Sequence, residues 1–361
     1  MIKYLICFLL LPTHLLCQRN ISDKIDSVMH TCADFSGVVL VADNGEPIYH
    51  KAFGYRKFAE KIPLQTSDIS ELASVSKQFT AMIIMMLKEK RNLDYDDLIE
   101  KYLDIPYKGI TIRHLLTHTS GLPDYQEIMD KHWDKSKVAG NKEILEYLNK
   151  YVPPKLFDPG TQYKYSNTGY VLLASIAEKA SGKDFINLCR KWIFKPLRMR
   201  STNIRTLQQK AATNNFALGH IYVPERKEYV RADSFPSSDY TIWLGNRKGP
   251  GRISSTALDL LKWDKALYTD KLVQQSTLQL AFMPNKLLND SLANYGFGWM
   301  LRNDSALGKI IYHEGDNPGY INRLVRYINL KKTIVLLSNN AYEKEDEIIK
   351  QIETLFRENT H

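Results

Sequence analysis

The stretch Glu71-Leu-Ala-Ser74-Val-Ser-Lys77-Gln-Phe-Thr80 stands at the mouth of a strongly apolar helix. Val75, Phe79, Met82, Ile83, Met86 and Leu87 recur at steps of three and four, the rhythm of a helix. Ile84 and Met85 fill the other face, so the helix is expected to be buried and central. Ser74 and Lys77 lie three apart and share a face, whereas Ser76 adjoins Lys77 and cannot face it. A serine hydroxyl becomes a nucleophile when a neighbouring base takes its proton. Lysine can be that base if burial and the positive end of a helix dipole disfavour its ammonium form. The free N–H groups of the first turn can hold a developing oxyanion. The plain alternative makes Ser74 a helix cap and Lys77 a surface residue.

Around this stretch lie 361 residues, 44% apolar, 25% charged and 11% aromatic. That composition is globular and excludes a disordered or solenoid chain. It suffices for one large domain or two lobes with a sizeable core. The formal charge is +9, but Lys and Arg are spread without a long run, and no nucleic-acid-binding module is present. Residues 1–17 read as a signal peptide: Lys3, an apolar run over 4–11, then Leu15-Leu16-Cys17-Gln18. Cleavage after Cys17 implies export to the periplasm or the medium. The rival, lipidation of Cys17, is disfavoured by Leu16, where a small residue is usual. No later stretch is long and apolar enough to span a bilayer. Of four cysteines, Cys32 and Cys189 remain after cleavage, and their separation gives no metal or redox motif. They are expected to be structural thiols.

In chain order, 21–32 predicts an amphipathic helix with Ile25, Val28 and Met29 on one side. Residues 36–42 predict a buried strand, Asp43-Asn44-Gly45 a turn, and 47–55 a returning strand. Helical patterns follow at 111–118, 142–151, 169–180 and 255–267. Strands return at 296–301, 309–313, 320–330 and 333–338, and 343–358 closes as a helix. The two ends are expected to pair into one antiparallel sheet flanked by helices, with 18–93 and 270–361 as a sheet lobe and 94–269 as a mainly helical lobe. A site is expected in the cleft between them.

Three motifs fall near that cleft. Tyr165-Ser166-Asn167 follows Pro159-Gly160-Thr161 at a loop-to-helix junction. A tyrosine near Lys77 is expected to have its pKa lowered by that charge and to act as a general base. Asn167 offers a donor and an acceptor suited to a substrate amide; the alternative is a core tyrosine and a capping asparagine. His313-Glu314-Gly315 ends a strand whose edge can pair with an extended substrate. There His313 is expected to bind or polarise substrate, Gly315 to line it, and the Asp316 N–H to be an oxyanion donor; the alternative is a surface strand-end histidine. In Leu115-Leu-Thr-His118-Thr-Ser-Gly-Leu-Pro123, His114 and His118 are four apart, but no third metal ligand is evident, so structural hydrogen bonding is the better reading.

Together these motifs resemble the serine β-lactamase and penicillin-binding protein superfamily, in its class C β-lactamase / D-alanyl-D-alanine carboxypeptidase branch (peptidase family S12). Ser74-Val-Ser-Lys77 resembles its nucleophile motif and Tyr165-Ser-Asn167 its Tyr-x-Asn motif. His313-Glu-Gly315 occupies the place of its Lys-Thr-Gly motif. Leu115 to Leu122, Ile253-Ser-Ser-Thr256 with Asp259-Leu260 and Trp263, and Tyr295-Gly-Phe-Gly-Trp299 are further hallmarks, so the resemblance spans nearly all the mature chain, 18–361. It implies a β-lactamase/transpeptidase-like α/β (α+β) fold with an inserted all-helical lobe. It also implies an acyl-enzyme on Ser74, proton transfer by Lys77 and Tyr165, substrate positioning by Asn167, and an oxyanion hole from the N–H groups of Ser74 and Asp316. No metal or organic cofactor is implied.

The departure at His313 matters, because the family's lysine there attracts a substrate carboxylate. His313 is neutral much of the time near pH 7, and Glu314 adds a negative charge, so a carboxylate is expected to be less welcome. The expected function is an exported serine hydrolase of D-amino-acid-containing peptides, amides or small esters. Its partner is then a small-molecule or peptide substrate, peptidoglycan fragments among them. The alternatives are a class C-like β-lactamase and a non-catalytic homologue that binds cell-wall fragments or a partner. Specificity is expected from 125–140 and 223–251, which carry Trp133, Tyr240, Trp243 and Arg247.

Overall fold

In the computed structural model the described residues are 11–358, with side chains from Ile21 onward. Of the expected signal segment, 1–10 lie outside the described residues, and 11–17 enter only as backbone of the first helix, α1 (Leu11–His30). Two strands follow, β1 (Gly37–Asp43) and β2 (Glu46–Phe53), then the apolar helix α2 (Lys77–Glu89). After several shorter pieces come α3 (Asn167–Ser181) and α4 (Ala257–Ala266). The chain then forms β3 (Met300–Asp304), β4 (Gly308–Asn317), β5 (Tyr320–Tyr327), β6 (Lys332–Ser338) and α5 (Glu345–Glu358).

The six strands form one antiparallel sheet in the order β3-β4-β5-β6-β1-β2. The N-terminal hairpin and the C-terminal strands are thus zipped together along β1 and β6, with Gly37 opposite Ser338 and Asp43 opposite Lys332. Side chains of a strand alternate between faces, and β1 shows how both faces come to be buried. Val39 and Val41 pack with Ile21, Ile25 and Met29 of α1 and with Ile348, Ile352 and Phe356 of α5. Val38, Leu40 and Ala42 join the larger core built on α2 and α3. A bulge between Val41 and Ala42 accommodates Pro47 of β2, which has no N–H for a ladder.

The helix α2 is buried from Lys77 through Leu87, as its all-round apolar sequence requires. Trp263 of α4 stacks on Phe79 with ring centroids 4.4 Å apart and donates its indole N–H to Gln78 Oε1 at 2.8 Å. Although α4 falls within 94–269, it lies against the sheet, where Thr333 of β6 donates to Asp264.

Several expectations shift. The 111–118 helix covers only Ile112–Leu116, because His118 takes a left-handed backbone (φ 58°) that ends the turn. No strand runs through 296–301: Gly298 has φ 79°, and the strand starts at Met300. A hairpin of His220–Val223 with Glu228–Arg231 and a helix Gln275–Ala281 were not expected. Cys32 and Cys189 are free thiols.

Candidate active site

The chain reaches Ser74 under tight control. Ser70 and Glu71 pair with Ser255 and Ser254, and Leu72 N–H donates to the Ile253 carbonyl at 2.8 Å. Ala73 then adopts φ 48°, an unusual backbone for a residue with a Cβ, costing on the order of 1 kcal/mol. A 3-10 turn over Ala73–Ser76 leads into α2. Between Asp68 and Leu87 only Ser74 is not buried, so the turn presents one hydroxyl to the cleft. Ser74 does not cap α2; the cap position is Ser76, whose hydroxyl accepts instead from Ile253 N–H at 3.2 Å.

Lys77 is fully buried, and its Nζ lies 3.0 Å from Ser74 Oγ, 2.8 Å from Asn167 Oδ1 and 3.0 Å from the Pro250 carbonyl. Burial, with a further push from the Arg247 charge against a weaker pull from Asp124, holds its pKa well below the ordinary 10.5. A neutral amine has two N–H groups and one lone pair. Two of its three neighbours are carbonyl oxygens, which only accept. The N–H groups therefore go to Asn167 and Pro250, and the lone pair is left for the Ser74 hydroxyl to donate to. That is the ground-state geometry of a nucleophile and its base.

Tyr165 sits over Lys77, whose Nζ is 4.6 Å from its ring centroid. Its phenol also hydrogen-bonds Ser74, which only partly offsets burial, so its pKa is pushed well above 10. This corrects the expectation that Lys77 would lower it: a neutral Lys77 has no charge to do so. Tyr165 therefore remains a phenol that can accept one proton while giving up another. Ser166, rather than Asn167, caps α3, accepting from Gly169 N–H at 3.3 Å. His118 accepts from Ser166 N–H at 3.1 Å and stacks on Tyr165 at 4.2 Å, so it positions the whole Tyr-Ser-Asn turn. His114 caps its own helix through Thr111 N–H. The two histidines do not converge, and among the described residues no group of three or more His, Cys, Asp or Glu could hold a metal ion.

The outer edge of β4 is open beyond Tyr312, where pairing with β3 stops. Its 313–317 half runs beside the Ser74 turn. Gly315 is there because of contact: a Cβ on it would lie 2.3 Å from the Leu72 carbonyl. Gly315→Ala is therefore expected to push strand and turn apart. Overpacking of this kind costs roughly 1–3 kcal/mol, and an ångström of misplacement lowers turnover by about 100-fold. Thermal melting and kcat/KM read the two effects separately.

His313 is a correction. It was expected to touch substrate, but its ring is fully buried. Nε2 faces the Tyr295 hydroxyl at 2.8 Å, and Nδ1 faces the Glu314 carbonyl at 2.6 Å. The carbonyl can only accept, so the proton is on Nδ1 and Nε2 takes the tyrosine's. Burial lowers the imidazole pKa to about 3, and at such low pH a protonated Lys77 pushes the same way. His313 thus holds Tyr295 and the strand in place and has no free polar atom for a ligand.

Sequence reading missed the charged floor of the cleft. Glu71, buried, contacts Lys210, accepts from Asn317 Nδ2 at 2.9 Å and lies 3.8 Å from Arg252. Burial raises its pKa, but Lys210 and Arg252 outweigh that and bring it to about 2, so it is ionised. A small cleft of about 60 Å³ joins Ser74, Asn167, Asp316 and Asn317 to Tyr240, Arg247 and Arg252. A larger cavity of about 430 Å³ adjoins it across Glu71, Arg252 and Asn317. Only residues brought from distant segments make this floor, so no local motif announced it.

The beta-lactamase family model matches residues 22–355. Penicillin-binding protein 4* of Bacillus subtilis (strain 168) is 41% identical over 91% of this chain and 74% of its own. A penicillin binding protein from Bacillus halodurans superposes with a TM-score of 0.78 at 25% identity, over 92% of this chain and 98% of its own. The D-amino acid amidase from Ochrobactrum anthropi SV3 shares the fold, with a TM-score of 0.74 at 22% identity over 95% of this chain and all of its own.

Proposed function

Since the chain belongs to the beta-lactamase family and is a serine hydrolase, we propose that it is exported and cleaves D-amino-acid-containing peptides, amides or small esters through an acyl-enzyme on Ser74. The observation that carries this reading is the buried Lys77 amine, 3.0 Å from Ser74 Oγ, with its N–H groups directed to two other acceptors. Ser74 Oγ attacks the substrate carbonyl while its proton passes to Lys77 Nζ. Tyr165 relays a proton to the leaving nitrogen or oxygen, and that bond breaks. Water then attacks the acyl-enzyme, giving one proton back along the same route and freeing Ser74. Asn167 keeps its amide N–H groups for the substrate, since its oxygen is taken by Lys77. The N–H groups of Ser74 and Asp316 serve the oxyanion, a donor there being worth about 3 kcal/mol. The amidase neighbour and the penicillin-binding names of the Bacillus relatives support this substrate class.

The test is a panel of D- and L-alanyl anilides, amides and esters together with a penicillin and a cephalosporin. Turnover of the D-compounds above their L-counterparts supports the reading. Cephalosporin hydrolysis exceeding all of them would instead make the protein a β-lactamase. The pH profile is a second check. Attack needs Lys77 neutral, and its pKa is lowered, so activity should rise with pH through a limb well below 10.5 and stay level into the alkaline range, where Tyr165 is still a phenol. His313 contributes no limb near pH 6.5, being neutral down to about 3.

A further inference from the structure

We propose that Arg247 is a specificity-determining residue that receives a carboxylate carried on the acyl portion of the substrate. The inference rests on the acyl-enzyme reading above and deepens it. Arg247 comes from the loop between the Tyr240–Trp243 turn and the Ile253–Ser255 strand, and it lines the same cleft as Ser74 and Asn167. Its side chain is buried, with 9% of its surface exposed. Among the described residues its guanidinium makes one hydrogen bond, from Nη1 to the Tyr125 hydroxyl, and Nε has no partner. A buried guanidinium offers five N–H donors in a planar fork that matches a carboxylate. Arg252 differs: its two Nη groups are spent on the carbonyls of Thr241 and Gly245.

The charges around the cleft favour an anion. Arg247, Arg252 and Lys210 surround one buried carboxylate, Glu71, which is already held by Lys210 and Asn317. The other acids in reach are Asp124, which caps the Tyr125–His132 helix, and Asp316, which is exposed to solvent. Buried positive charge with no matching carboxylate is costly, and a substrate anion would balance it.

Strand direction says which part of the substrate meets it. Tyr165, the relay to the leaving group, lies toward His313, with ring centroids 6.2 Å apart. An acyl portion laid on the open edge of β4 runs the other way, past Asp316 to Asn317. There Tyr240 donates to Asn317 Oδ1 at 3.4 Å, beside Arg247. The missing lysine at position 313 thus does not leave the cleft without an anion receptor. The receptor has moved to the helical lobe and serves the other half of the substrate.

The experiment compares N-succinyl-D-alanine and N-acetyl-D-alanine p-nitroanilides, and the matching esters, with the full chain. The succinyl compound carries the carboxylate on the acyl side. Wild-type kcat/KM should favour the succinyl compound by at least tenfold, a charge-assisted hydrogen bond being involved. In Arg247→Gln the ratio should fall to about one, and Arg247→Lys should recover only part of it, since an ammonium lacks the fork. Equal wild-type rates for the two acyl groups would overturn this proposal while leaving the hydrolase reading intact. No cleavage of any of the four would remove both. If Arg247→Gln folds poorly, the wild-type ratio and the Arg247→Lys variant still decide.

Discussion

Ser74→Ala is expected to lower turnover of every substrate of this site by roughly 10⁴-fold or more, the scale seen when a catalytic serine is removed, while the protein stays folded. Ser74 is partly exposed, and among the described residues its hydroxyl meets Lys77 and Tyr165. Lys77 keeps Asn167 and Pro250 as acceptors without it. The measurement is intact mass after brief exposure to a penicillin, together with steady-state rates and a melting curve. A wild-type adduct that is absent in Ser74→Ala, with an unchanged melting midpoint, is the expected result. An adduct of equal size on the variant would take the nucleophile away from Ser74. Its lifetime on the wild type then separates an enzyme that holds the acyl group from one that clears it.

The largest loss of stability is expected from Asp264→Ala. Asp264 and Arg326 form an ion pair at 2.5 Å between α4 and β5, with side chains 2% and 1% exposed. Asp264 also accepts from Thr333 on β6 at 2.7 Å. Arg326 is stacked on Tyr268, its guanidinium carbon 4.7 Å from the ring centroid, with Phe282 and Trp299 close by. Removing the carboxylate leaves a guanidinium in an aromatic pocket with no other ion-pair partner among the described residues. Breaking a buried pair in this way costs about 3–5 kcal/mol, which for a chain of this size lowers the melting midpoint by roughly 4–7 °C. Asp264→Asn keeps one acceptor oxygen for Arg326, with an N–H₂ that the Thr333 hydroxyl can accept from, and should lose less. A midpoint within a degree of wild type for Asp264→Ala would mean that water or a neighbour replaces the carboxylate. The double variant Asp264→Leu/Arg326→Met, which removes both charges, is expected to be more stable than Asp264→Ala alone.

Much of the fold was legible from periodicity. The continuous apolar runs in 36–42 and 333–338 and the three-and-four rhythm after Ser74 mark strands and helix in the places where they occur. The misreadings are local breaks of backbone direction. His118 and Gly298 take positive φ, and nothing in the apolar pattern around them records it. The His220–Val223 hairpin is short and half exposed, so its sequence lacks the apolar signature of a buried strand.

The candidate site divides in the same way. The identity of Ser74, Lys77, Tyr165 and Asn167 and the order of their motifs are properties of the sequence, because spacing on a helix or turn fixes which side chains share a face. Their protonation states are not. Lys77 is pushed towards the neutral amine because the packed interior denies it water and because Arg247, from a distant segment, places a like charge nearby. His313 leaves the binding surface because Tyr295 and its own strand take both ring nitrogens. Arg247 gains its place because the Tyr125 hydroxyl takes one of its N–H groups and the fold brings it to the cleft that Tyr240 and Ser74 also line. Sequence determined which groups are present and in what local order. Tertiary structure decided which are charged and which have a donor to spare, since desolvation and hydrogen-bond partners depend on every atom packed nearby, whatever its distance along the chain.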